Sequence, residues 1–493
     1  MASLEDWLHP LLGRYVAAPQ WAKSLAGSAW RALPQAWRHG PVRAGFSQLL
    51  APSSPEAVAD DARRRLASTL RWAADTGPAC QGLPAPRRPG DDPLALLAQW
   101  PVVDKATLKR DLGRHLSNAL PAGKRLPTFT GGSTAEPMKF YLHKGITRSR
   151  EYAFMDAFHA RVGYREGHDL ALALRGRVVP TAQQPGGRLW MMEPIKRQLI
   201  LSSDHLKPEY MSAYVAALRR WCPLFVLAYP SALYPLARWL AEHPAPEVTG
   251  KIRGILLYSE NVLDHQLALI RQVFGCPVLR HYGHSERVLM AATLPDDDRF
   301  HFWPQYGHLE LLDARGQAVT RPGEMGEIVG TSFDNQVMPF VRYRTGDMAT
   351  LSDRPAHPSL AGWPVLQRID GRMQEFVVCR DERLISICAM GAAHFDELAP
   401  VQSMQFEQHA PGQLVLNVVS AQALSEAARL AVCRSVAART QQGCEVTIQQ
   451  VAAIKPTRQG KHRMLVQHLD LARYFAAVGA ETAGAAPAPG AAA

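Results

Sequence analysis

From residue 208 onward the apolar positions switch period in a regular way. They recur at helical spacing from Pro208 to Trp221, run unbroken from Leu224 to Ala228, turn at Tyr229-Pro230-Ser231, and resume helical spacing to Glu242. A period near 3.6 turns one helix face to a core, whereas a short unbroken apolar run reads as a buried strand. The theme repeats, with Ile252 to Tyr258 strand-like, Val262 to Phe274 helical and stopped by Gly275, and Pro277 to His281 extended again. This spacing predicts βαβ units and a parallel sheet, whose ligands lie beyond the carboxyl ends of the strands. Tyr282-Gly283-His284-Ser285-Glu286 follows the second strand at that end.

The flanking regions read differently. The first hundred residues mix helical stretches, such as Ala57 to Ala74, with Pro/Gly-rich breaks around Gly82 to Pro93. Past Pro304, short strands and turns at Asp313 to Gln317 and Arg321-Pro322-Gly323 run to about Pro364, and a smaller α+β piece extends from about Asp370 to Ala476. That piece carries strands near Phe376 to Val378 and Leu414 to Val419 and a helix over Leu424 to Arg439. The fold class expected is α/β: a helical extension over residues 1–100, a large domain over 101–368, a small domain over 369–476, and an Ala/Pro-rich tail over 477–493 that reads as disordered.

Composition narrows the function. With 47% hydrophobic and 20% charged residues, the chain is neither disordered nor fibrous. Its net charge of +11 admits nucleic acid, but the arginines are dispersed rather than gathered in runs with aromatics, so a small anionic ligand is expected and nucleic acid is not. The seven cysteines form no CxxC pair, which argues against zinc and against structural disulfides. No secretion signal is evident at the start, and the most apolar stretch, Trp221 to Leu240, is broken by Pro223, Pro230 and Pro235. A cytoplasmic protein without a membrane span is expected.

Several segments carry candidate chemistry. Thr128 to Lys139 combines glycines, hydroxyl side chains and a lysine, the ingredients of a phosphate-holding loop, without Walker spacing. In Arg342-Tyr343-Arg344-Thr345-Gly346-Asp347 the final carboxylate suits two ribose hydroxyls. Singly, these also read as an ordinary turn and as a hairpin turn with a surface ion pair. Gly371-Arg372 and Gly460-Lys461-His462-Arg463 are open in the same way. His281 and His284 lack a third ligand for a metal and read as hydrogen-bonded or solvated histidines. No GxSxG elbow is present, and Cys276 reads as strand-edge packing rather than a nucleophile. Tyr229, Tyr234 and Trp239 are candidates for the border of a substrate pocket.

In the order Thr130–Lys139, Tyr282–Glu286, Tyr343–Asp347, Gly371-Arg372 and Gly460-Lys461, the chain resembles the adenylate-forming superfamily of acyl-CoA synthetases, luciferases and peptide-synthetase adenylation domains. The resemblance covers about Pro101 to Leu469. Tyr229-Pro230-Ser231, Ser259-Glu260 and Gln374-Glu375-Phe376 are most similar to its phenylacetate-CoA ligase and CapK branch. It implies a large α/β domain with a mobile α+β lid, and an ATP-dependent ligase that converts a small-molecule carboxylic acid to acyl-AMP with release of pyrophosphate. The acyl group would pass to coenzyme A, an amine, a hydroxyl or a carrier protein, in a polysaccharide or secondary-metabolite pathway. An adenylyltransferase that stops at the AMP adduct, or a non-catalytic scaffold, is the alternative.

The same resemblance assigns roles. Thr130, Ser133, Thr134 and Lys139 would hold the ATP phosphates, and Tyr282, with Gly283 and Ser285 beside it, would face adenine. Glu286 would associate with magnesium, and Asp347, near Arg344, would hold the ribose. Arg372 would lie by ribose and phosphates, and Lys461 would reach the α-phosphate and the substrate carboxylate. Tyr229, Ser231, Ser259 and Glu260 would border the acid. The chain departs from the family at Ala135, where a glycine is usual, at Glu136, and at Gln374, where an acidic residue is common.

Overall fold

The computed structural model describes residues 8, 11, 14–15, 18–51, 53–130, 138–175, 189–372, 375–387, 401–420, 422–454, 463–471 and 473–474. Strands Ala171–Leu174, Gln198–Leu201, Phe225–Ala228, Gly254–Leu257 and Val278–Gly283 are parallel neighbours within one 12-stranded sheet. The middle strands are buried at every position, as a parallel sheet covered on both faces requires. Successive residues alternate between two cores. Val226, Ala228, Ile255 and Leu257 join the core containing helices Pro208–Trp221 and Pro230–Glu242, while Phe225, Leu227, Leu256 and Leu279 join the core containing helix Thr147–Ala160. Burial of each such Leu or Phe contributes about 1.5–3 kcal/mol.

The helix ends follow the sequence signals. Pro208 opens the helix that ends at Trp221, and Gly275 caps Asp264–Phe274 at φ 60°. Tyr229-Pro230-Ser231 is less a turn than a helix start: Pro230 occupies the first position of Pro230–Glu242, where its missing N–H costs nothing.

Beyond Val278–Gly283 the sheet turns antiparallel through Met290–Ala292, Phe300–Phe302, Val365–Arg372, Tyr343–Leu351, Met325–Ser332 and Gly307–Leu312. The local hairpin-turn reading of residues 342–347 is therefore replaced. Residues 343–347 belong to a nine-residue strand, on which Asp347 pairs directly with Arg372. The strand Val365–Arg372 is continuous through residues 368 and 369.

The C-terminal part has its own four-stranded sheet, ordered Glu445–Gln450, Gln413–Ser420, Val401–Ala410, Leu465–Gln467. Helix Glu426–Arg439 contributes Val432 and Val436 to a core with Phe406, Leu416 and Val418. The buried thiols of Cys379 and Cys444 lie 3.8 Å apart there and are unbridged. In the N-terminal region, Leu66 and Leu70 of helix Pro55–Thr76 pack with Trp100, Phe333 and Val341, tying it to the large domain. Among the described residues no helix is long and apolar enough to cross a membrane.

Candidate active site

A cleft of about 1020 Å³ opens at the carboxyl ends of the parallel strands. Thr130, Ser231, Ser259, Glu260, Tyr282, Gly283, Ser285, Glu286, Arg344, Asp347 and Arg372 all line it. These residues come from six separate stretches of chain. Ser133, Thr134, Gln374 and Lys461 lie outside the described residues, but Arg463 and Met464, two and three residues after that lysine, are part of the cleft wall. Lys139 and Tyr229 are not in the lining. Lys139 is exposed at the start of Lys139–His143 with its ammonium over the Tyr141 ring, and Tyr229 packs against both sheet cores.

Two tyrosine–carboxylate pairs organise the cleft. Tyr282 Oη donates to Oδ2 of Asp347 at 2.8 Å, and Arg372 Nε lies 3.6 Å from Oδ1 of the same carboxylate. Tyr343 Oη donates to Oε1 of Glu286 at 2.8 Å. Burial first, and then the adjoining carboxylate, pushes both phenols well above their ordinary range, so both remain donors. Burial works against the charge on Arg372, yet Asp347, Glu375 and Glu286 outweigh it and hold its pKa raised. The pairs fix two carboxylates in direction without neutralising them by contact with a lysine.

Backbone geometry supports the same arrangement. Gly371 has φ +113°, and a Cβ there would stand 2.5 Å from Oε2 of Glu375, which accepts the Arg372 N–H at 3.0 Å. Ser259, at φ 62°, turns the chain out of Gly254–Leu257, and Glu260 Oε2 accepts the Ser231 N–H at the amino end of a helix. Thr130 closes the hairpin loop whose ends it joins: its N–H donates to Met138 O and its Oγ1 accepts the Met138 N–H at 2.8 Å. That hydroxyl is used there as an acceptor, and among the described residues its hydrogen has no acceptor. Arg344 is engaged by Glu327, with Nε 2.6 Å from Oε2.

The sequence reading missed Lys105, Tyr343 as the partner of Glu286, and Glu375 as the carboxylate holding Gly371-Arg372. Lys105 follows Asp104, which caps helix Lys105–Arg110, and lines the cleft. Its pKa is lowered, chiefly by burial, with Glu286 and Asp347 pulling it up and Arg372 and Lys109 pushing it down. The only local signal was the Asp-Lys helix start, which is common on surfaces. The histidine reading was sound for His284, whose Nε2 accepts the Val288 N–H. His281 is instead half-buried, with Nε2 buried and without a hydrogen-bond partner among the described residues, and desolvation takes its pKa down to about 4. Cys276 is packed against the sheet core, where burial raises its pKa to about 11, so it remains a thiol. Tyr234 and Trp239 make edge and stacking contacts with His265 and His243 and stay out of the cleft lining.

The described lining holds nine carboxylates and six Lys or Arg side chains. That surplus of hard oxygen donors suits a divalent cation such as Mg²⁺, and Glu286 fits as a ligand because Tyr343 occupies only its Oε1.

No protein-family model matches the chain. It is 23% identical over 329 residues to Protein CapK of Staphylococcus aureus, a match covering 66% of this chain and 70% of CapK. It is 26% identical over 169 residues to the phenylacetate-coenzyme A ligase of Pseudomonas putida, covering 34% of this chain and 38% of that enzyme. The fold matches the crystal structure of 2-hydroxyisobutyryl-CoA ligase in the postadenylation state with R3-HIB-AMP at a TM-score of 0.61 and 17% identity, over 87% of this chain and 92% of that one. Sequence and fold thus lead the same way, and both support the resemblance of this chain to the adenylate-forming superfamily.

Proposed function

We propose that the protein is an ATP-dependent ligase that joins a carboxylic acid to AMP and then passes the acyl group to coenzyme A or another nucleophile. The observation that carries this reading is the convergence of Thr130, Tyr282–Glu286, Tyr343–Asp347, Gly371-Arg372 and Arg463-Met464 on one cleft. In the first step a carboxylate oxygen attacks the α-phosphorus, the bond to the β-phosphate oxygen breaks, and pyrophosphate leaves. Negative charge then crowds one phosphorus, and preorganised cations stabilise it best.

The chain's residues divide this work. Asp347, held by Tyr282 and Arg372, accepts the two ribose hydroxyls, and Thr130 donates to a phosphate oxygen. Arg372 and Lys105 bring positive charge to the phosphates. Glu286 would hold Mg²⁺, which when bound neutralises phosphate charge and orients the leaving pyrophosphate. Lys461 would deliver its ammonium to the α-phosphate and the attacking carboxylate. The segment after Gly371, together with the C-terminal sheet, would swing as a lid between the two half-reactions.

The test is ATP–pyrophosphate exchange across aryl and aliphatic acids, followed by product analysis with and without coenzyme A. Exchange with at least one acid is expected, and Lys461→Ala should lower it by about 10²–10³ while Mg-ATP binding by calorimetry persists. Failure to bind Mg-ATP at all would overturn the reading. An AMP adduct that accumulates unchanged with every acceptor would replace transfer by simple adenylylation.

A further inference from the structure

A second chamber of about 1330 Å³ adjoins the cleft. Glu151 faces both spaces. Its Oε2 accepts Tyr306 Oη at 2.5 Å and lies 3.7 Å from Arg287 Nε. Tyr306 lines the cleft and Arg287 lines the chamber, immediately after Glu286 in the chain. The nucleotide side and the chamber therefore meet at Glu151.

The N-terminal helices roof this chamber. Helices Gln20–Ala32, Gln35–His39 and Pro41–Leu49 dock on Thr147–Ala160 and on the strand Trp190–Glu193. Ser149 Oγ donates to His39 O at 3.0 Å, the His39 ring is 5.1 Å from Tyr152, and Arg43 stands 5.2 Å over the same ring. Gly27 approaches Pro194 so closely that a Cβ would lie 2.7 Å from it. Trp30, Tyr152, Met191 and Ile200 supply apolar wall.

The charges in the chamber do not balance. Seven Lys or Arg side chains and four carboxylates are in its described lining. All four carboxylates are taken: Asp156 by Arg43, Glu166 by Lys196 at 3.1 Å, Glu151 by Tyr306 and Arg287, and Glu193 by Tyr15 Oη at 2.7 Å and the Ile195 and Lys196 N–H groups. Arg38 and Lys23 have no carboxylate partner among the described residues, although Lys23 is only 7% exposed. Nε of Arg38 is buried without an acceptor, and burial, with Arg43 nearby, lowers its pKa. A sequestered cation without a counter-charge is costly, and an anionic ligand group removes that cost.

We propose that the chamber receives the body of the acid, and that this acid is a long or aromatic one bearing a second anionic group that meets Arg38 and Lys23. The proposal rests on the ligase reading above. The volume exceeds the upper end, about 1000 Å³, of ordinary small-molecule pockets, which favours a large acyl group over a short one. The N-terminal helices thereby act as the specificity wall, reading the end of the acid remote from the reacting carboxyl.

Two measurements on the full-length protein test this. In pyrophosphate exchange, hexadecanedioate is compared with hexadecanoate, and a naphthalene dicarboxylate with its monocarboxylate. In equilibrium binding with 8-anilinonaphthalene-1-sulfonate, the fluorescent anion reports chamber occupancy without turnover. The diacids should be preferred about tenfold, Arg38→Ala and Lys23→Ala should each remove most of that preference, and Arg38→Lys should restore part of it. Probe affinity should fall in parallel, while Mg-ATP affinity holds and melting temperature does not fall. Ala160→Trp, filling the chamber from another wall, should block the probe without touching either cation. Exchange that favours monoacids and ignores Arg38→Ala overturns the chamber proposal and leaves the ligase reading intact. Charge-dependent probe binding with no exchange for any acid overturns the ligase reading and leaves the chamber as an anion site.

Discussion

Tyr343 and Glu286 are 57 residues apart in sequence, yet the phenol donates to the carboxylate at 2.8 Å in a buried setting. The hydrogen bond aims Glu286 into the cleft while leaving its second oxygen available. Tyr343→Phe removes only the donor. Adenylation should fall about tenfold, Mg²⁺ should be needed at higher concentration, and stability should drop by about 1.5–3 kcal/mol, as expected for a bond to a charged group. Exchange rates against Mg²⁺ concentration, with urea melts, check it; an unchanged Mg²⁺ dependence would remove Tyr343 from this role.

Asp347 holds three relationships together: the Tyr282 hydroxyl, the Arg372 guanidinium and, by proposal, the ribose. Asp347→Asn keeps the shape but leaves Arg372 without that charge partner. ATP affinity should weaken by about 100-fold. Calorimetry with Mg-ATP and Mg-2′,3′-dideoxy-ATP reads the outcome, since the variant should lose the preference for ribose hydroxyls.

Lys105 carries a pKa lowered chiefly by burial among Glu286, Arg372, Lys109 and Asp347. Its positive charge is therefore lost at lower pH than an ordinary lysine's. The alkaline limb of exchange activity should lie below the usual lysine range, and Lys105→Arg should move it upward. Lys105→Met should lower kcat/KM for ATP by about 10- to 100-fold at neutral pH. A pH–rate profile identical in wild type and Lys105→Arg would sink the assignment.

Four histidines whose pKa burial lowers predict acid sensitivity. Burial lowers His159 to about 3 and His281, His301 and His308 each to about 4. Each folded value lies below the unfolded one of about 6.5, so the unfolded state takes up protons first as the pH falls. Their stability contribution is present above about pH 6.5 and is lost on descent towards about pH 4. Melting temperature should therefore fall between pH 7 and pH 5. His308→Gln, which removes one such group, should flatten that slope.

The elements were legible because their signals are local. The helix Pro208–Trp221 has the limits its periodicity predicts, the strand Phe225–Ala228 lies within the unbroken apolar run, and Gly275 stops its helix in a left-handed conformation that its lack of a side chain permits. Residues 343–347 were harder. Arginines, a glycine and an aspartate look like a turn in isolation, and only pairing with strands on both sides makes them a strand.

By itself, the sequence determined the α/β architecture and the order of the motif segments, since periodicity and short spacings are written within a few residues. Tertiary structure alone decided that Tyr343 serves Glu286, that Lys105 enters the cleft from a surface-like helix start, and that N-terminal helices enclose a chamber sharing Glu151 with that cleft. The reason is distance along the chain. Whether a charge is buried, paired or left facing a ligand depends on groups tens to hundreds of residues away, and no local pattern encodes which of them will arrive.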